Sequence, residues 1–180
     1  REHGGTSWYD AAKVTREATA WLQKNRRIPF FLWVHYIDPH TPYTPPSPYR
    51  EMFLSDDHYA QYEKIDQSKI KVTHRLGEET DPDYYVAQYD GEIRYMDDQI
   101  QIFLDVLRES GIEKNTLLIF TSDHGESFVE NGLYFDHGVY VYDDCARVPL
   151  IIRFPARIPS PKVIRETLSL NSLVPTLLDY

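Results

Sequence analysis

The sequence predicts an α/β domain, a mostly parallel central sheet flanked by helices, and three observations carry the prediction. Three apolar runs rich in β-branched and aromatic residues, at 30–37, 117–121 and 148–155, are short for helices. They lack the polar alternation of half-exposed strands, so they suit strands covered on both faces. Helical or loop segments separate them, as in a sheet whose strands are joined by crossovers. Two of the runs stop abruptly at a carboxylate and an imidazole, Asp38-Pro39-His40 and Asp123-His124-Gly125. Ligands of open α/β sheets lie beyond the carboxyl ends of the strands, so chemistry is expected there.

Taken in order, Ser7 is placed to cap a helix over residues 8–27. Ala11, Val14, Ala18, Trp21 and Leu22 recur there at helical spacing, and Lys24, Arg26 and Arg27 stand at its negative end. Pro29 opens the first apolar run. Asp38-Pro39 ends it, because the residue before proline leaves helical space and proline cannot donate to a ladder. Residues 41–80 turn to Thr, Pro and Tyr and then to charged residues without periodicity. A connection of that length reads as a lid or rim over the strand tips.

Thr80 or Asp81 caps the next helix, with Pro82 in its first turn. Val86, Tyr89, Ile93, Met96, Ile100, Phe103 and Leu107 alternate by threes and fours, an apolar stripe suited to core packing that ends near Ser110 and Gly111. Asp97-Asp98 is a solvated or packing pair on that helix. The run at 117–121 follows, then a glycine-containing loop, 127–136, leading to His137-Gly138. After the third run, residues 168–172 read as a fourth short strand and 174–180 as the opening of another helix.

At 180 residues, with 42% hydrophobic and 14% aromatic content, the chain suits one globular domain with one core. No apolar stretch reaches the roughly 20 residues that cross a bilayer, so no membrane span is expected. The first helix is amphipathic and unlike a signal peptide, and the compartment stays open. A net charge of -9 and a pI near 5.2 repel phosphate backbones, so nucleic acid is not the expected partner. An anionic ligand would need local cations to overcome that field. A single cysteine, Cys145, excludes a disulfide framework and a cysteine zinc site.

Asp38, His40, Asp123, His124 and His137 belong to three segments that end where sheet ligands bind. Taken alone, Asp123 could cap a following helix and His124 could simply be exposed. Taken together, the five residues point to a metal or oxyanion site. Gly125 permits the sharp turn that lets two neighbouring side chains converge. A carboxylate and an imidazole can hold a divalent cation that acts as a Lewis acid on a phosphoryl or sulfuryl oxygen. Other imidazoles can donate hydrogen bonds to the remaining oxygens or protonate the departing alcohol.

Four segments resemble the sulfatase family of the alkaline phosphatase superfamily. They are residues 29–43, ending Asp38-Pro39-His40-Thr41-Pro42-Tyr43; residues 115–126, ending Ser122-Asp123-His124-Gly125-Glu126; residues 136–152, which begin Asp136-His137-Gly138 and include Arg147-Val148-Pro149-Leu150; and Val174-Pro175-Thr176-Leu177-Leu178-Asp179. The resemblance implies an alkaline-phosphatase-like sandwich, of which residues 1–180 are the middle to carboxyl-terminal part of the catalytic domain, truncated at both ends. It implies that Asp123 and His124 are two ligands of a single divalent cation. Many sulfate-specific members have Asn at the position of His124, whereas His is frequent in relatives that cleave phosphate or phosphonate esters. Imidazole tilts the metal from calcium towards manganese or zinc, with calcium, magnesium, manganese and zinc all in play.

By position His40 matches the histidine that contacts the sulfate or leaving-group oxygen. His137 stands where many members place a sulfate-clamping lysine, as clamp or proton donor. His35 reads as a strand residue pointing into the core or behind the site, Asp38 as a neighbour of the site without a fixed role, and Arg147 as the partner of a carboxylate. The family's Cys/Ser-x-Pro-x-Arg motif, whose first residue becomes the formylglycine nucleophile, has no match, so no nucleophile is expected within this chain. Cys145 is followed by Ala146-Arg147-Val148 and reads as a buried structural thiol. The expected function is metal-dependent hydrolysis of a small-molecule or carbohydrate sulfate ester, completed by the missing N-terminal part of the same enzyme. The alternatives are a phosphate or phosphonate ester hydrolase or phosphoryl-group transferase of the same superfamily, and a non-catalytic anion-binding module.

Overall fold

The computed structural model describes residues 10–54, 63–158 and 160–179. Helix α1 (Ala11–Asn25) is capped by Asp10, whose carboxylate accepts the Lys13 N–H at 2.8 Å. The expected cap, Ser7, and Trp8 lie outside the described residues. Ala11, Thr15, Ala18 and Leu22 form the buried face, the i, i+4, i+7 spacing of an amphipathic helix. That face packs on α3 (Pro82–Glu109), which starts as expected, with the Asp81 carboxylate accepting the Asp83 N–H and Pro82 in the first turn.

A short helix, α2 (Tyr49–Met52), crosses α3 at Gly91. A Cβ there would stand 2.7 Å from the Tyr49 carbonyl oxygen, so only glycine admits the crossing. The aromatic core lies beside this crossing. Tyr43, Ile70, Tyr85 and Phe135 are buried together, with Tyr85 stacked on Phe135 at 4.0 Å between centroids. Two of the four belong to the segment at 41–80, expected as a lid or rim, which thus contributes to the interior.

The sheet differs in detail from the expectation. Strands β1 (Leu118–Thr121) and β2 (Leu150–Arg153) form the ladder among the described residues, and they run antiparallel, Leu118 opposite Arg153 and Thr121 opposite Leu150. The run at 30–37 is extended but pairs with no described strand. Its side chains alternate: Phe31 and Trp33 are 80% and 71% exposed, while Phe30, Leu32, Val34 and Tyr36 face inward, the Tyr36 hydroxyl meeting Thr15 at 2.8 Å. Residues 168–172 are not a strand either. The Ser169 hydroxyl accepts the Asn171 N–H and starts a 3-10 turn, Leu170–Ser172, that leads into α5 (Leu173–Asp179). Local capping chemistry outweighs the apolar content there. Among the described residues no helix is long and apolar enough to cross a membrane.

Candidate active site

Strand β1 delivers the residues that follow it to the site, and four hydrogen bonds fix how the chain leaves the sheet. The Thr121 hydroxyl donates to the Pro149 carbonyl at 2.8 Å, tying the strand end to its neighbour. The Ser122 hydroxyl donates to the His124 carbonyl, and the His124 N–H to the Asp123 carboxylate, folding the next residues into a tight turn. The Gly125 N–H then donates at 2.7 Å to the Cys145 carbonyl of α4 (Asp143–Ala146). A Cβ on Gly125 would lie 2.0 Å from the Asp144 carbonyl oxygen. The glycine expected for its turning freedom is needed for this close approach.

The loop at 127–136 leaves and returns through one paired bridge, with Ser127 and Asp136 exchanging backbone hydrogen bonds at 3.1 and 3.2 Å. That closure brings His137 back beside its starting point. Its ring stacks on His124 at 3.8 Å between centroids, and His40 meets it edge-on at 6.0 Å. Three imidazoles, His40 from a segment more than 80 residues before the other two, and Asp123 beside them, thus gather at the exit of β1.

Each imidazole is held through the same nitrogen. His40 Nδ1 lies 2.7 Å from the Thr41 carbonyl, His124 Nδ1 lies 2.8 Å from the Gly125 carbonyl, and His137 Nδ1 lies 3.1 Å from a Glu126 carboxylate oxygen. An oxygen that only accepts requires the proton on Nδ1, so Nε2 is the lone-pair nitrogen of each neutral ring. His124 Nε2 stands 3.8 Å from Asp123 Oδ2. Partial burial pushes the Asp123 carboxyl up, but the neighbouring His124 and the N–H bonds outweigh it and hold the group below the usual carboxylate range.

Those two donors suit one divalent cation. A histidine ligand characteristically donates its other nitrogen to a carbonyl, as His124 does to Gly125. Ligand bonds of about 2.0–2.3 Å can span the gap to Asp123. Among the described residues no group of three or more histidine, cysteine, aspartate or glutamate side chains gathers as a metal site.

Two carboxylates complete the site, and sequence reasoning assigned neither a role. Glu126 is 6% exposed in its side chain; it bonds His137 and accepts the Tyr43 hydroxyl at 2.7 Å. Glu92, on the buried face of α3, accepts the backbone N–H of His40 at 3.0 Å and of Thr44 at 2.7 Å, holding the His40 turn to the helix. Burial pushes its carboxyl up to about 8, against the lowering effect of the two N–H bonds. The readable signal was a carboxylate inside a helical face that is otherwise turned to the core.

The remaining sequence candidates stand apart. Asp38 accepts the Ala11 N–H at 2.8 Å and so anchors α1, with burial raising its carboxyl. His35 is exposed beside Trp33, on the same open face as Phe31, where a core or near-site position was expected. The twofold alternation of an extended chain puts residues 31, 33 and 35 on one side. Arg147 is exposed and makes no ion pair among the described residues, its backbone N–H closing α4 on Asp143. Cys145 is buried as expected, and burial followed by the charges of Asp144, Glu126 and Asp136 raises its thiol. Lys71 pairs with Asp136 at 2.5 Å, placing a cation beside the His137 loop.

Comparison with known proteins adds the family context. The family model described as Sulfatase matches residues 2–180. An arylsulfatase of Clostridium perfringens is 32% identical over 97% of this chain and 38% of its own length. Among solved structures, a phosphonate monoester hydrolase from Silicibacter pomeroyi superposes with a TM-score of 0.67 at 24% identity, covering 82% of this chain and 34% of that one. A complex of Ps i-CgsB with a neocarrahexaose gives 0.55 at 21% identity, covering 81% and 28%. At such identities the structural likeness shows the fold, the expected α/β architecture of the alkaline phosphatase type. The chain spans between 31% and 38% of the length of the first curated relatives it matches.

Proposed function

The chain belongs to the sulfatase family, and from that membership we propose that the protein is a metal-dependent sulfuric ester hydrolase, with Asp123, His124, His40 and His137 in its active site. The observation that carries the proposal is the gathering of His124, His137 and His40 at the exit of β1. Residues 1–180 are then the middle to carboxyl-terminal part of the catalytic domain, with 41–80 as a rim over the site.

A divalent cation held by Asp123 and His124, whether calcium, magnesium, manganese or zinc, would supply Lewis-acid polarisation of a sulfuryl oxygen. His40, in its doubly protonated form, donates from Nε2 to a sulfate or leaving-group oxygen while Nδ1–H stays on the Thr41 carbonyl. An oxygen nucleophile of the formylglycine-hydrate class, from outside this chain, attacks sulfur. As the bond from sulfur to the alcohol oxygen breaks, its electron pair goes to that oxygen, which takes a proton from His137 Nε2, leaving the neutral ring. Cys145 is not that nucleophile, being buried with its thiol raised.

Paired assays of the full-length protein on para-nitrophenyl sulfate and para-nitrophenyl phenylphosphonate test the proposal. A higher kcat/KM on the sulfate, lost with chelator and with Asp123→Ala, supports it. A higher value on the phosphonate supports the second reading, a phosphate or phosphonate ester enzyme, which the imidazole of His124 favours. Binding of sulfate without turnover of either substrate would leave an anion-binding module. The carbohydrate in one structural neighbour's complex supports sulfated sugars as the natural substrates. Residues 1–180 alone are expected to turn over neither ester.

A further inference from the structure

We propose that Glu126, itself held by the Tyr43 hydroxyl, is the positioning residue that aims His137 at the leaving-group oxygen, so that the segment at 41–80 reaches into the reaction through one hydrogen-bonded chain. This inference rests on the hydrolase reading above. The carboxylate of Glu126 is nearly inaccessible to water, and a buried carboxylate is tolerated when its oxygens are bonded. Both are: Oε2 accepts from Tyr43 and Oε1 from His137 Nδ1. The bond fixes the rotation of the His137 ring and leaves Nε2 on the side away from Glu126, while the stack on His124 fixes its plane.

Tyr43 is a fixed anchor. It is 1% exposed in the aromatic cluster, edge-on to Tyr89 at 5.3 Å and tilted against Phe128 at 6.4 Å. Burial, then the nearby Glu126 charge, keeps its hydroxyl proton in place far above the ordinary tyrosine range, so the hydroxyl is always available to donate. The chain Tyr43, Glu126, His137 therefore runs from the core to a reacting nitrogen. In the donor state His137 carries two protons, one bonded to Glu126 and one given to the alcohol oxygen. After transfer, the ring keeps the Glu126 bond as its Nδ1–H tautomer.

The test uses the full-length protein and aryl sulfates of graded leaving-group acidity. Tyr43→Phe keeps the ring that packs the core and removes only the hydroxyl, so folding is preserved. It is expected to lower kcat about tenfold with KM within about twofold, the loss growing as the leaving group becomes poorer. Glu126→Gln should lose about a hundredfold, Glu126→Asp should recover part of that, and neither should add to His137→Ala. Losses equal across all leaving groups, or full additivity with His137→Ala, would overturn the inference. If the wild type hydrolyses no sulfate ester, the hydrolase reading has failed instead. The 15N ring signals of His137 then decide the positioning claim independently: a shift away from the Nδ1–H pattern in Glu126→Gln supports it, and unchanged signals overturn it.

Discussion

At the scale of single residues, Glu92 shows how a buried carboxyl can serve geometry and make stability depend on pH. Its two oxygens hold the His40 turn through backbone N–H groups, and burial raises its carboxyl to about 8. The folded protein therefore binds this proton more tightly than the unfolded chain does. Its contribution to stability is full below the ordinary glutamate range and is lost as pH rises to about 8. Urea midpoints of the wild type should fall between pH 5 and pH 8, and Glu92→Gln should flatten that slope. An unchanged slope would show that the carboxyl titrates normally. Gly125→Ala is the second test at this scale. The added Cβ meets the Asp144 carbonyl at 2.0 Å, so a loss of about 2–4 kcal/mol is expected in chemical denaturation, together with displacement of His124.

At the scale of elements, α1 and α3 were readable because their causes are local. The apolar spacing, Asp81 and Pro82 lie within a few turns of what they control. The described cap of α1 is Asp10, and the same end is fixed by Asp38 accepting the Ala11 N–H across 27 residues, a contact that no local pattern carries. Asp10→Ala should cost about 1 kcal/mol in thermal or urea unfolding. The run at 30–37 was read as a ladder strand because composition reports β-propensity, whereas pairing depends on a neighbour that no local pattern specifies. The site histidines were legible from strand ends and resemblance. Their holders were not: Glu92 reaches the His40 turn across 48 and 52 residues and Tyr43 reaches Glu126 across 83, while Glu126, only 11 residues from His137, meets it through the closure of the 127–136 loop, which no local pattern specifies.

At the scale of the whole molecule, the segment at 41–80, proposed as a rim, also supplies core. Tyr43 and Ile70 fill the cluster under the site while Lys71 pairs with Asp136 at its edge. Replacing residues 63–80 with a flexible linker is therefore expected to uncouple folding as well as substrate choice, seen as a broadened thermal transition. A rim of purely selective function would leave the transition sharp.

The paired bridge between Ser127 and Asp136 separates the take-off of His137 from the tip of its loop, where Asn131 and Gly132 adopt left-handed backbone and are exposed. Lengthening a closed loop is inexpensive, about 0.6 kcal/mol for each doubling. The tip is accordingly a place where a reporter peptide could be spliced in without disturbing the imidazoles, and where homologous lineages would be free to diversify.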